Sequence, residues 1–229
     1  MADVEQFWRA NCSTKYDALL EKIPGLIHLP WVGMEYDQAQ RRVLIVGDSH
    51  YDSENSEGMA IDFTRGIINC CMGLKVSESW NMQRNLMTTF NVAEDGADGF
   101  WRSVAFCNIV QEVMPESNTP PSEEQYIRGG QILREIINIL NPTDCIIVGV
   151  RCERNLALRQ WEGDKILNFE YGPKINATYP FYGTYTYPNR EKIPIINIKH
   201  TSQRYRPEQW TEFVKNHMLE AYEFLSSIR

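Results

Sequence analysis

Three residues able to do chemistry stand far apart in this chain, yet each stops a short apolar run. Asp48 follows Val43-Leu44-Ile45-Val46 and Gly47, Asn108 ends Val104-Ala105-Phe106-Cys107, and His200 follows Ile193-Pro194-Ile195-Ile196-Asn197-Ile198 and Lys199. A carboxylate can stabilise a developing positive charge and orient water. An imidazole can donate to a departing group that gains negative charge, and a carboxamide offers both an acceptor and donors for reading a polar edge. A fourth run, Cys145-Ile146-Ile147-Val148, stops at Gly149. The two outermost stops read Gly47-Asp48-Ser49-His50-Tyr51 and His200-Thr201-Ser202.

The elements that must position these residues follow from the same pattern. The runs are short and β-branched, as buried parallel strands are, and stretches of helical character separate them. The expected fold is a three-layer α/β/α sandwich with a central, mainly parallel four-stranded sheet. In such a sheet ligands bind beyond the carboxyl ends of the strands, so Asp48, Asn108, Gly149 and His200 should converge on one crevice.

The intervening segments fit this layout. After the first strand a long excursion over residues 51–99 carries expected helices near 58–71 and 79–90, which would wall a pocket. Ser122 with Gln125 three positions on forms a capping box for a helix through Leu140, which Asn141-Pro142 ends. Residues 171–189, rich in Tyr, Gly, Pro and Thr, read as an aromatic loop or short hairpin, and Pro207 opens a C-terminal helix with an apolar face from Trp210 to Leu225. Residues 1–40 are expected to hold a helix over 4–22 and then a Pro/Gly-interrupted segment, forming a helical extension packed on a single domain spanning 1–229.

Composition narrows the class. The chain has 229 residues, 43% hydrophobic and 23% charged, which suits a soluble globular domain. No apolar stretch approaches the ~20 residues needed to span a bilayer, and the acidic N-terminus lacks the order of a signal peptide, so a cytoplasmic location is expected. The six cysteines, Cys12, Cys70, Cys71, Cys107, Cys145 and Cys152, include no C-x-x-C pair. They read as reduced, mostly buried thiols, and no metal or cofactor is expected. A net charge of −7 opposes nonspecific binding of polyanions. Lys199, Arg204 and Arg206 nevertheless make one local basic loop, with no acid between Lys199 and Pro207, suited either to a solvated surface or to phosphate contact.

In this order and placement the motifs resemble the uracil-DNA glycosylase superfamily, over roughly residues 43–210. Gly47-Asp48-Ser49-His50-Tyr51 is similar to the family's water-activating loop, Gly-Gln-Asp-Pro-Tyr or Gly-Glu-x-Pro-Gly, and His200-Thr201-Ser202 resembles its His-Pro-Ser loop. Pro121-Ser122-Glu123-Glu124, leading through the helix to Asn141-Pro142 and the next strand, looks like the family's proline-rich stretch. His50 and Thr201 replace loop prolines, and the four-cysteine cluster of the iron–sulfur branches is absent. The resemblance implies hydrolysis of the N-glycosidic bond of a damaged or deaminated base in DNA, as in base-excision repair. Asp48 would act on the oxocarbenium-like sugar and water, His200 on the departing base, and Asn108 would read the base edge. Phe63 would stack on an extruded base and Tyr51 would exclude a methyl at its C5 edge. Lys199, Ser202, Arg204 and Arg206 would contact the nucleic acid, Arg204 standing where the family wedges a side chain into the duplex.

Other readings stand beside this one. Asp48 can cap a helix, Asn108 can satisfy a strand end, and Phe63 can be core. Gly47-Asp48-Ser49 also opens SGNH-type esterases, with Ser49 as nucleophile, Asn108 as oxyanion donor and His200 as base. That family expects Asp where this chain has Asn197. A non-catalytic relative that binds a nucleotide or a protein partner is a third.

Overall fold

The computed structural model of the chain describes residues 8–51, 60–72, 81–116, 119–149, 161, 167–186, 192–202 and 204–228. Along them run α1 (Asp17–Leu20), β1 (Trp31–Val32), β2 (Val43–Gly47), β3 (His50–Tyr51), α2 (Phe63–Cys71) and α3 (Asn81–Thr89). Then come α4 (Ala97–Ser103), β4 (Val104–Asn108), β5 (Val113–Met114), α5 (Glu123–Leu140) and β6 (Asp144–Val148). The chain continues through β7 (Leu167–Tyr171), β8 (Phe181–Tyr185), β9 (Ile193–Ile198), α6 (Pro207–His217) and α7 (Leu219–Ser226).

The four apolar runs are strands, and they pair in parallel in the order β4-β2-β6-β9. Their residues are almost all buried, because helices cover both faces. Val43, Ile45, Val104, Phe106, Ile146 and Val148 face Ile68, Leu86, Trp210 and Val214 of α2, α3 and α6. The alternate residues Leu44, Val46, Ala105, Cys107, Cys145 and Ile147 face Leu133, Ile136 and Leu140 of α5. This two-residue alternation is the side-chain period of a strand, here apolar on both sides.

The sheet is larger than the expected four strands. Among the described residues it has seven, in the order β1-β4-β2-β6-β9-β8-β7, and it is mixed, since the outer pairings are antiparallel. β1 lies antiparallel on β4, so part of the first 40 residues belongs to the sheet rather than only packing on it. At the other edge β9, β8 and β7 form an antiparallel meander, so part of the aromatic stretch from residue 171 is strand.

A continuous helix over residues 4–22 does not form among the described residues. Cys12 bridges to Gly33, and Ser13 N donates to Val32 O over 2.7 Å, so the chain there is extended. Trp8 and Arg9 are helical, and after the extended stretch the helical conformation returns only over Asp17–Leu20. Tertiary contacts outweigh the local pattern: the buried Arg65 guanidinium grips both Asp17 carboxylate oxygens at 2.9 and 2.6 Å and the Pro30 carbonyl at 3.1 Å. The helix expected after Gly149, and Cys152, lie outside the described residues.

The capping box is present. Ser122 Oγ accepts from Gln125 N, and Gln125 Oε1 accepts from Ser122 N. Asn141 closes the same helix in the left-handed conformation, φ +47°. Cys12, Cys71, Cys107 and Cys145 are buried and unpaired with one another, and Cys70 is exposed. Burial pushes the Cys12 thiol up to about 11 and the Cys107 thiol to about 12, which keeps both protonated and inert. Among the described residues no helix is long and apolar enough to cross a membrane.

Candidate functional site

The parallel strand order reverses at β2. From β2 the chain goes to β4 on one side, then crosses to β6 and β9 on the other. The switch point lies between β2 and β6, and it is where an open parallel sheet leaves a crevice. Asp48 leaves β2 there and Gly149 leaves β6. Gly149 adopts φ +137°, open to glycine alone, and a Cβ on it would lie 3.8 Å from Asp48 Cβ and 3.9 Å from His200 Cδ2. Asp48 and His200 thus both border the bare backbone of Gly149.

Asn108 reaches the same place from β4. A Cβ on Gly47 would stand 2.2 Å from Asn108 Oδ1, so a side chain there would expel the carboxamide. Backbone bonds from Ile109 N to Gly47 O and from Val110 N to Asp48 O, both 3.0 Å, zip the two strand exits together. Asn108 and Asp48 are each 7% exposed, sheltered but reachable.

The hydroxyl of Tyr126 donates to Asp48 Oδ1 over 2.6 Å. Tyr126 sits in the first turn of α5, which follows β4 and so begins at the carboxyl end of the sheet. This partner was not read from the sequence. The available signal was Tyr126 standing just past the Ser122–Gln125 capping box, on the buried side of a helix whose start the topology brings to the crevice.

The proton on His200 can be assigned from its neighbours. Ser202 N lies 3.3 Å from Nδ1, and a backbone amide can only donate, so Nδ1 is an acceptor and the neutral ring carries its hydrogen on Nε2. Ser202 Oγ, 2.7 Å from the same nitrogen, is then the donor of that pair. The loop is anchored on α3: Asn85 Nδ2 donates to Thr201 O and Thr201 Oγ1 donates to Met82 O, each over 2.7 Å. Thr201, where the resemblance expects proline, thus fixes the loop by a hydrogen bond instead of a ring. Asn197, three residues before His200, donates to the Gly149 carbonyl over 2.7 Å and braces the β6 exit.

The wall beside Asp48 is made of rings. His50 and Phe63 lie 4.9 Å apart, and His28 lies 5.4 Å from His50 and 5.6 Å from Phe63. Phe63, half-buried, is therefore already packed on two imidazoles. His50 Nε2 pairs with Thr64 Oγ1 at 2.8 Å, and burial, with His28 nearby, pushes its pKa down to about 3. Burial lowers His28 as well. Tyr51 pairs with Met114 in a two-stranded parallel sheet, β3 with β5, three residues past Asp48. Gln111 ties wall to crevice: its Nε2 donates to Asn108 O, and its Oε1 accepts from Ile27 N and His28 N. Neither His28 nor Gln111 was singled out from the sequence, since each lies on a loop with no periodic pattern around it.

The basic loop is less uniform than its composition. Lys199 Nζ donates to the Arg204 carbonyl over 3.0 Å and braces the turn, in which Arg204 takes φ +49°. Arg204 and Arg206 are exposed.

Chemically, the carboxyl ends of β2, β4 and β9 bring to one end of the sheet a carboxylate held by a phenol, a carboxamide, and an imidazole with its hydrogen on Nε2. No protein-family model matches the chain, and no curated protein matches it.

Proposed function

We propose that the chain is an N-glycosyl hydrolase of the uracil-DNA glycosylase type, excising a deaminated or damaged base from DNA. The observation that carries this reading is that Asp48 and His200 both border Gly149 at the switch point, with Asn108 alongside. Breaking the C1′–N bond leaves its electron pair on the base and positive charge on the sugar. The Asp48 carboxylate stabilises that charge, orients the water that forms the new C1′–O bond, and takes up its proton. The Nε2–H of His200 donates to the base as it becomes an anion, and Asn108 pairs with its polar edge.

The esterase reading is less well supported. Ser49 Oγ is buried without a hydrogen-bond partner among the described residues, and His200, whose Nδ1 accepts from Ser202, carries its hydrogen on Nε2, the nitrogen that would have to take the serine's proton. A nucleophilic serine needs a base within hydrogen-bond reach.

The deciding assay incubates the purified protein with single- and double-stranded oligonucleotides containing uracil, hypoxanthine or xanthine, and in parallel with a p-nitrophenyl ester. Abasic product from one of the oligonucleotides is the expected result. Ester cleavage, or binding with no abasic product, would overturn the proposal.

A further inference from the structure

Beyond His200 the chain builds a second feature at the same end of the sheet. Pairing of Phe181 with Asn197 and of Tyr171 with Phe181 brings the end of β7 and the start of β8 to the carboxyl end of β9. Between them residues 172–180 form a short finger. Ile175 and Thr178 exchange backbone hydrogen bonds of 2.8 and 2.9 Å around Asn176 and Ala177, whose φ values of +47° and +64° are those of a tight type I′ hairpin turn. Gly172 N donates to Pro180 O over 2.8 Å and closes its base. The finger leans on α6 so closely that a Cβ on Gly172 would stand 3.0 Å from the Phe213 ring.

Between the finger and α6 runs a groove of about 440 Å³. Lys174 and Asn176 line it from the finger, and Gln209, Phe213, Asn216 and His217 from the helix. Among the described residues Asn176 Nδ2, buried there, has no hydrogen-bond partner. The His217 ring stacks on Tyr182 at 3.7 Å. Outside the lining residues but next to one of them, Tyr179 is 54% exposed, with Lys174 Nζ 5.6 Å from its ring centroid.

This is an inventory of aromatic faces, carboxamides carrying both donors and acceptors, and a cation. It matches the π-face, the polar edge and the phosphate of a nucleotide. Of the nearby acids, Glu170 accepts the Tyr182 hydroxyl at 2.9 Å, and Glu212 lines the groove, where it suits a base N–H rather than a second phosphate. Asn197 and Phe181 are direct neighbours, so the base of the finger lies roughly 10 Å from the His200 loop by strand geometry. The exposed Arg204 and Arg206 follow in that loop.

We propose that this groove holds a nucleotide of an unpaired strand that continues from the crevice, with Tyr179 stacking on its base and Lys174 at its phosphate. The proposal rests on the nucleic-acid reading of the Asp48–His200 crevice and narrows it to a single-stranded or locally opened substrate.

The test titrates fluorescein-labelled twelve-residue oligothymidylate against the full chain and its Tyr179→Ala and Lys174→Ala variants, starting near ~50 mM salt, where charge contacts are least screened. Thymidylate offers no deaminated or damaged base, so binding is read whether or not the protein excises anything. The wild type is expected to bind, each variant to weaken binding about tenfold, and Lys174→Ala to lower the slope of log affinity against log salt by about 0.7. Both positions are at the surface, and an unchanged melting temperature checks the fold. Equal affinities for all three proteins, no binding by the wild type, or a change in oligomeric mass in place of a change in affinity would each overturn the proposal. Base release from deoxyuridine monophosphate, a single nucleotide that cannot occupy the crevice and the groove at once, would keep the excision reading alive in those cases.

Discussion

The Tyr126 hydroxyl donates to Asp48 Oδ1 over 2.6 Å, joining the first turn of α5 to the exit of β2. The bond fixes one oxygen of the carboxylate, and with it the direction the group presents to the crevice. Hydrogen bonds to charged groups contribute about 1.5–3 kcal/mol. Tyr126→Phe is therefore expected to lower kcat of excision roughly tenfold with KM little changed, since the bond orients a group that acts in the transition state. A steady-state comparison on a uracil- or hypoxanthine-containing oligonucleotide checks it. An effect confined to KM would contradict the orienting role.

Asp48→Asn keeps the shape of the side chain and removes its charge. Single-turnover cleavage should fall by ~10² or more while substrate binding stays nearly intact, because in the proposed mechanism the carboxylate acts on the developing cation. Ser49→Ala, by contrast, should change cleavage little. Loss of all activity in Ser49→Ala with Asp48→Asn still active would reverse the assignment of roles.

The arrangement of the basic loop sets a salt dependence. Lys199 is spent on the Arg204 carbonyl, whereas Arg204 and Arg206 are exposed. Replacing both arginines by alanine should flatten the slope of log affinity against log salt for duplex DNA by about 2, one phosphate contact for each. Lys199→Ala should act mainly by loosening the turn, with a smaller change in slope. Affinity titrations from ~50 to 200 mM salt distinguish the two.

His50 predicts how stability depends on pH. Its pKa is depressed from 6.5 to about 3 in the folded chain, so below pH 6.5 the unfolded chain binds the proton that the folded chain refuses. Stability should then fall as the pH drops from 6.5 towards 3, with a slope of up to about 1.4 kcal/mol per pH unit from this group. Denaturant midpoints across this range, for wild type and His50→Asn, isolate the contribution. The stability gap between the two proteins should narrow as the pH falls, and a gap constant from pH 7 to 4 would remove His50 as the cause.

Arg65 is the buried charge on which the N-terminal segment depends. Its side chain is 1% exposed and pairs with Asp17 and Asp62. Arg65→Ala leaves those carboxylates and the Pro30 carbonyl without their donor, and should destabilise the chain by about 3–5 kcal/mol in equilibrium unfolding. A loss below 1 kcal/mol would show that residues 8–33 are held by other contacts.

The sequence alone determined the four parallel strands and the placement of Asp48, Asn108, Gly149 and His200 at their carboxyl ends. A continuous β-branched run between polar stops has few ways to be buried, and Val43–Val46 or Cys145–Val148 can only be interior strands. It determined the capping box for the same reason: Ser122 and Gln125 satisfy backbone groups within one turn, and nothing distant is needed.

What only the tertiary structure decided rests on contacts between segments far apart in the chain. β1 is a two-residue strand, too short for any alternation to show, and it exists because β4 offers it an edge. The helical pattern of residues 4–22 gave way to Arg65, whose grip on Asp17 comes from 48 residues downstream. The helical pattern gives no sign that the Tyr126 hydroxyl lies against Asp48, and the proton on His200 is fixed only by Ser202 N at Nδ1. Periodicity records which way a side chain faces within its own element. It carries no record of which atom of another element will be waiting there, and that pairing is what gathers Asp48, Asn108 and His200 at one end of the sheet.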